Sequence, residues 1–145
     1  MDEHDTVYKL LFSHHEMVRD LLAGFLPPEW MAALDLDSLE KMNGSYVTDD
    51  LRGRHGDAVW RIRWGEDWLY VYLLLEFQSS VDRFMALRIM VYTGLLHQDL
   101  IRRGELGVDR RLPSVLPVVL YNGERRWRAP TDVRALVQPP PDGLE

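Results

Sequence analysis

Asp57-Ala-Val-Trp-Arg-Ile-Arg-Trp64 and Leu69-Tyr-Val-Tyr-Leu-Leu-Leu-Glu-Phe-Gln78, separated by Gly65-Glu-Asp-Trp68, decide how this chain folds. The first stretch alternates apolar and polar side chains, as a half-exposed strand does; the second is apolar until Glu76, as a central strand is. The turn residues between them make the pair a hairpin. A four-residue loop, Gly65 to Trp68, sets Trp64 opposite Leu69, Trp60 opposite Leu73 and Ile62 opposite Val71, giving one apolar face. On the other face Asp57 stands opposite Glu76, and Arg61 and Arg63 stand opposite Tyr72 and Tyr70. A three-residue loop would set Trp60 against Tyr72 and Asp57 against Leu75, mixing the faces.

In that register the Asp57 and Glu76 Cβ atoms are about 4.5–5.5 Å apart, and Gln78 lies on the same face about 6.6 Å farther along. Two opposed carboxylates repel, and a merely structural sheet has no need of them. A divalent cation removes the repulsion. Mg²⁺ takes one or two carboxylates and leaves positions for water and phosphate oxygens, so Asp57 and Glu76 suit a metal that binds a phosphodiester. The alternative reading is structural: Asp57 merely begins a strand and an arginine such as Arg88 pairs with Glu76.

Outward from the hairpin, Ser79 and Asp82 can cap a helix from about Val81 to Arg103, stopped by Gly104. Its apolar residues pack it on the sheet, and Arg88 on that flank can reach Glu76 or a substrate phosphate. Val115 to Tyr121, interrupted by Pro117, reads as a further strand ended by Asn122-Gly123. Strand, long helix, strand predicts a right-handed crossover and a mixed sheet. Upstream, Thr6 to Phe12 reads as a short helical candidate. Ser13 with Glu16 forms a capping box for a second helix that ends at Pro27-Pro28. Glu29 to Lys41 reads as one or two short helices, and Ser45 to Thr48 as a brief strand.

The 145 residues suffice for one domain with a substantial core. The longest apolar run, Trp68 to Leu75, is far short of the roughly 20 residues that cross a membrane. Met1-Asp-Glu-His-Asp5 lacks the features of a secretory signal, which makes the cytoplasm the expected location. There is no cysteine, and His4, His14, His15, His55 and His97 do not have the spacing of a zinc pair. The net charge of −6 is unevenly spread: residues 1–82 carry −9, residues 83–134 carry +5 and residues 135–145 carry −2. All ten cations of the middle segment are arginines, including Arg102, Arg103, Arg110, Arg111, Arg125, Arg126 and Arg128. Arginine suits bidentate phosphate contact, although an ordinary solvated surface has the same composition.

The ordered set His4-Asp5, Tyr8-Lys-Leu-Leu-Phe12, Phe25-Leu-Pro27, Gly56-Asp57, Leu75-Glu-Phe-Gln-Ser79, Met85 with Arg88 and Tyr92, and Leu116-Pro-Val-Val-Leu-Tyr-Asn-Gly123 with Trp127 resembles the Rpn/YhgA-like recombination-promoting nuclease family. The resemblance covers nearly the whole chain. It implies an α/β, restriction-endonuclease-like core of the PD-(D/E)XK superfamily, a mixed sheet with an antiparallel hairpin flanked by helices. It also implies Mg²⁺-dependent DNA endonuclease activity, with Mn²⁺ as a substitute, Asp57 as the first-motif aspartate and Glu76-Phe77-Gln78 as the (D/E)XK element. Gly56 stands where the superfamily often has proline. Gln78 stands where most of the superfamily has lysine, which makes this a variant site: glutamine is neutral and can only position water by hydrogen bonding or lend its oxygen to the metal.

Residues 1–134 are thus expected to form the nuclease-like domain. Pro139-Pro-Pro-Asp-Gly143 reads as a linker within a tail of residues 135–145, and Leu144-Glu145 resembles a tag junction. Two functions fit. In one, a metal-dependent endonuclease uses Asp57, Glu76 and Gln78 on DNA whose backbone Arg88, Arg125, Arg126 and Arg128 hold. In the other, an inactive nuclease-fold module binds DNA or a protein partner.

Overall fold

A computed structural model of the chain describes residues 14–42, 58–76, 83–121 and 129–143. Its centre is the expected hairpin, β2 (Ala58–Trp64) and β3 (Asp67–Glu76). The register is shifted by two residues from the expected one: Trp64 pairs with Asp67, Trp60 with Val71 and Arg61 with Tyr70. The loop is Gly65-Glu66 alone. Gly65 has φ 63°, and Glu66 is not among the residues of positive φ, the pattern of a type II′ turn whose twist suits two strands. Asp67 and Trp68 therefore extend β3 instead of filling a loop. An even shift leaves every side chain on its expected face, so the segregation of apolar and polar residues is retained.

A second correction lies upstream. Helix α1 (His15–Phe25) is capped at His14 without a side-chain hydrogen bond, and Ser13 of the expected capping box lies outside the described residues. Pro28 starts helix α2 (Pro28–Ala33), where its fixed φ suits a first turn. Leu34 to Lys41 is strand β1, not a helix, and pairs antiparallel with β2. The Leu34-Asp-Leu-Asp alternation has the two-residue period of a strand. Between Asp35 and Glu40 the register slips in a bulge, in which the Asp35 carboxylate accepts from the Asp37 N–H and the Ser38 hydroxyl from the Arg63 N–H. The bulge lets Leu34, Leu36 and Leu39 all join one core face. The expected helix at Thr6 to Phe12 and strand at Ser45 to Thr48 fall outside the described residues.

Helix α3 (Met85–Arg103) ends as expected at Gly104, whose φ of 72° is open to glycine at little cost. It leads to β4 (Val115–Tyr121), which pairs parallel with β3. The sheet order is β1-β2-β3-β4, so Pro117 sits in an edge strand, where a missing donor is tolerated. On one face α1 packs Val18 and Leu22 against Leu39, Trp60, Ile62, Val71 and Leu73. On the other, α3 packs Met85, Tyr92, Leu96 and Leu100 against Val59, Tyr70, Tyr72 and Leu74. The result is a helix–sheet–helix α/β sandwich with a mixed sheet, compatible with a restriction-endonuclease-like core. No helix among the described residues is long and apolar enough to cross a membrane.

Candidate functional site

The carboxyl end of β3 is Glu76, whose backbone pairs with Tyr121 at the end of β4. In open sheets with parallel strands, ligands bind outside such carboxyl ends. Ala58, the first residue of β2, pairs with Leu73, so the direct opposition of Asp57 and Glu76 expected from a four-residue loop does not follow from the observed register. The even slip preserves the alternation on which their shared face was argued. Asp57, Gln78, Arg125, Arg126 and Arg128 lie outside the described residues, as does the Glu76 side chain. Among the described residues no group of three or more His, Asp or Glu is placed to hold a metal ion.

Arg88 is described. It stands one turn into α3, between Met85 and Tyr92, both of which reach the core. The side chain is half-buried, and its Nε is shielded from solvent. The guanidinium is therefore held on the sheet-facing side of the helix near its start. A cavity of about 410 Å³ opens between Met85 and Ile89 of α3 and Val119 and Tyr121 of β4. The cavity borders the strand end to which Glu76 belongs.

The opposite end of the sheet carries a polar cluster that sequence reasoning did not single out. Arg61 pairs with Glu40 across β1 and β2, and its Nη1 lies 3.7 Å from Glu105. Arg61 and Arg63 place their guanidinium carbons 4.2 and 4.0 Å from the centre of the Trp68 ring, within cation–π range. Burial pushes the Tyr70 phenol above its ordinary value. The alternation of arginines on β2 was the available signal; the missing element was the true hairpin register, which sets Trp68 across from Arg63.

The basic segment is also divided. Arg102 and Arg103 end α3, and Arg110 and Arg111 lie in the loop beyond it. That loop is tied to the hairpin by Val108, whose N–H donates to the Asp67 carboxylate at 2.8 Å. These four arginines consequently sit at the hairpin end, remote from Glu76, and two have carboxylate neighbours: Arg103 is 3.6 Å from Asp99 and Arg111 3.4 Å from Asp109. Arg88 belongs to the Glu76 end. His97 is structural, its Nε2 meeting the Pro113 carbonyl at 2.9 Å.

The family described as "Putative transposase, YhgA-like" matches residues 2–143. Recombination-promoting nuclease RpnD of Escherichia coli O157:H7 is 35% identical over 122 residues, 84% of this chain and 46% of the relative. Recombination-promoting nuclease RpnA of Escherichia coli strain K12 is 32% identical over 120 residues, 83% of this chain and 40% of the relative. Inactive recombination-promoting nuclease-like protein RpnE of the same strain is 32% identical over 121 residues, 83% and 39% respectively. The chain thus spans less than half the length of these relatives. No solved structure gives a significant match.

Proposed function

Because this chain belongs to the YhgA-like family, we propose that it is a metal-dependent DNA endonuclease of the PD-(D/E)XK type, hydrolysing phosphodiester bonds in connection with recombination. The observation that supports this most is the position of Glu76 at the carboxyl end of the central strand, beside the first turns of α3 that hold Arg88 half-buried. Asp57 and Glu76 are the proposed metal ligands. Their carboxylates and the Gln78 amide oxygen are hard donors, which fits Mg²⁺ and, as a substitute, Mn²⁺. When bound, the cation supplies Lewis acidity and a water that deprotonates more readily.

The side chains supply the rest. Gln78 orients the attacking water through its amide, which is neutral and takes up no proton. Arg88, always charged and already partly desolvated, holds a non-bridging phosphate oxygen. Arg125, Arg126 and Arg128 hold the neighbouring DNA backbone.

The test is Mg²⁺-dependent plasmid nicking with melting temperature as the folding control. Asp57→Ala and Glu76→Gln are expected to lower the rate at least about a hundredfold without loss of fold, since each removes one anionic ligand from a cluster of like charges. Gln78→Ala should cost less because both ligands remain, and Gln78→Lys measures whether the site accepts the superfamily's commoner residue. Equal nicking by wild type and Asp57→Ala would place the activity elsewhere. Absence of nicking by folded wild type in both Mg²⁺ and Mn²⁺ would overturn the endonuclease reading in favour of an inactive binding module.

A further inference from the structure

Before its last turn helix α3 turns its two charged side chains away from water. Arg88 is half-buried and Asp99 is buried, while the outward stripe from Leu87 to Ile101 carries no charge over four turns. Its centre line is Leu87, Gly94 and Ile101, flanked by Met90, Val91 and Gln98. Leu87 is 41% exposed, Met90 52%, Val91 48% and Ile101 53%, and Phe84 just before the helix is 50% exposed. A helix apolar on both sides is ordinarily covered on both.

We infer that this stripe is the contact surface between two copies of the chain, packed as an antiparallel pair of α3 helices crossing at Gly94. Gly94 is the midpoint of the 19-residue helix. Among the described residues nothing lies within 4 Å of where its Cβ would be, so no packing among them explains a residue that weakens a helix interior. A second backbone approaching that point does explain it. The stripe is self-complementary about the same position, as a two-fold interface requires. Leu87 and Ile101 stand two turns to either side, so each Leu87 meets the Ile101 of the second copy.

The area agrees with this occupant. Half-exposed side chains of this size each leave roughly 80–100 Å² in water, so the five give about 450 Å² per copy, in the range of functional patches. Two copies bury about 900 Å² from these side chains alone. With Gly94, Gln98 and the rim added, the contact passes the roughly 1,000 Å² expected of a specific interface. The inference is independent of the nuclease reading.

Sedimentation equilibrium of the whole chain from about 1 to about 200 µM tests it. A monomer–dimer equilibrium within that range is expected. Leu87→Lys and Ile101→Glu should each weaken association at least about tenfold, because each buries two unpaired charges per dimer. An equimolar mixture of the two variants should recover association, since the introduced lysine then faces the introduced glutamate across one half of the interface while the other half keeps its native pair. Gly94→Cys, in a chain with no other cysteine, should form a disulfide-linked dimer under mild oxidation. A monomer throughout the range overturns the proposal. So does a dimer that survives both charge variants, or a mixture of folded variants that stays monomeric.

Discussion

Asp99 brings a carboxylate to 1% exposure on α3, with Arg103 3.6 Å away and Oδ2 without a hydrogen-bond partner. Burial raises its pKa above the ordinary 3.8, against the opposing pull of Arg103 and Arg102. A carboxyl whose folded pKa is raised binds its proton more tightly folded than unfolded. Its contribution to stability is therefore full below the ordinary carboxylate pKa and is lost as pH rises through the raised value. Asparagine keeps the shape without the charge. Asp99→Asn should stabilise the chain at pH 7 by about 1 kcal/mol, the scale of one poorly satisfied buried polar group, with little gain near pH 3.5. Thermal melts at both pH values measure this, and a lower melting temperature for the variant at pH 7 would show that the Arg103 pair outweighs the desolvation.

The hairpin and β1 show how single residues govern elements. Gly65 at φ 63° allows a two-residue turn, and that turn sets the register of both strands. Valine at this position would be strained by its branched Cβ, and nothing in the surroundings compensates. Gly65→Val should lower unfolding free energy by about 1–3 kcal/mol, read as a lower urea midpoint at unchanged slope. The strand identity of Leu34 to Lys41 was legible in its first four residues, which alternate. It was obscured afterwards because Leu39 breaks the period, and the bulge that absorbs the break depends on pairing with Arg61 and Arg63 of a distant segment.

Among the described residues, the excess of acidic residues in the first half and of arginines in the second does not translate into an acidic and a basic end. The sheet interleaves the two halves, and Glu40, Arg61 and Glu105 meet at one place. Carboxylates accompany Arg61, Arg103 and Arg111 at the hairpin end, and Arg125, Arg126 and Arg128 are the proposed DNA-backbone contacts. Replacing all three by alanine should weaken duplex binding and reduce the slope of log affinity against log salt by about 2 to 3, since each phosphate contact releases close to one counterion. Fluorescence anisotropy between about 50 and 200 mM salt measures it. An unchanged affinity and slope would make those arginines ordinary surface.

By itself the sequence determined the α/β class, the central hairpin, the long helix closed by Gly104, the parallel return at Val115 to Tyr121 and the sheet-facing position of Arg88. Each of these rests on local periodicity or on a residue with a special backbone preference, and those act over a few neighbours. Only the tertiary structure decided the two-residue turn, the bulged edge strand β1, the Arg61–Trp68–Arg63 cluster and the separation of the arginines between the two ends of the sheet. These depend on which distant strands pair and in what register. Pairing is chosen by the burial of whole faces, so an even shift in register, which buries the same faces, is invisible to a pattern of alternating side chains.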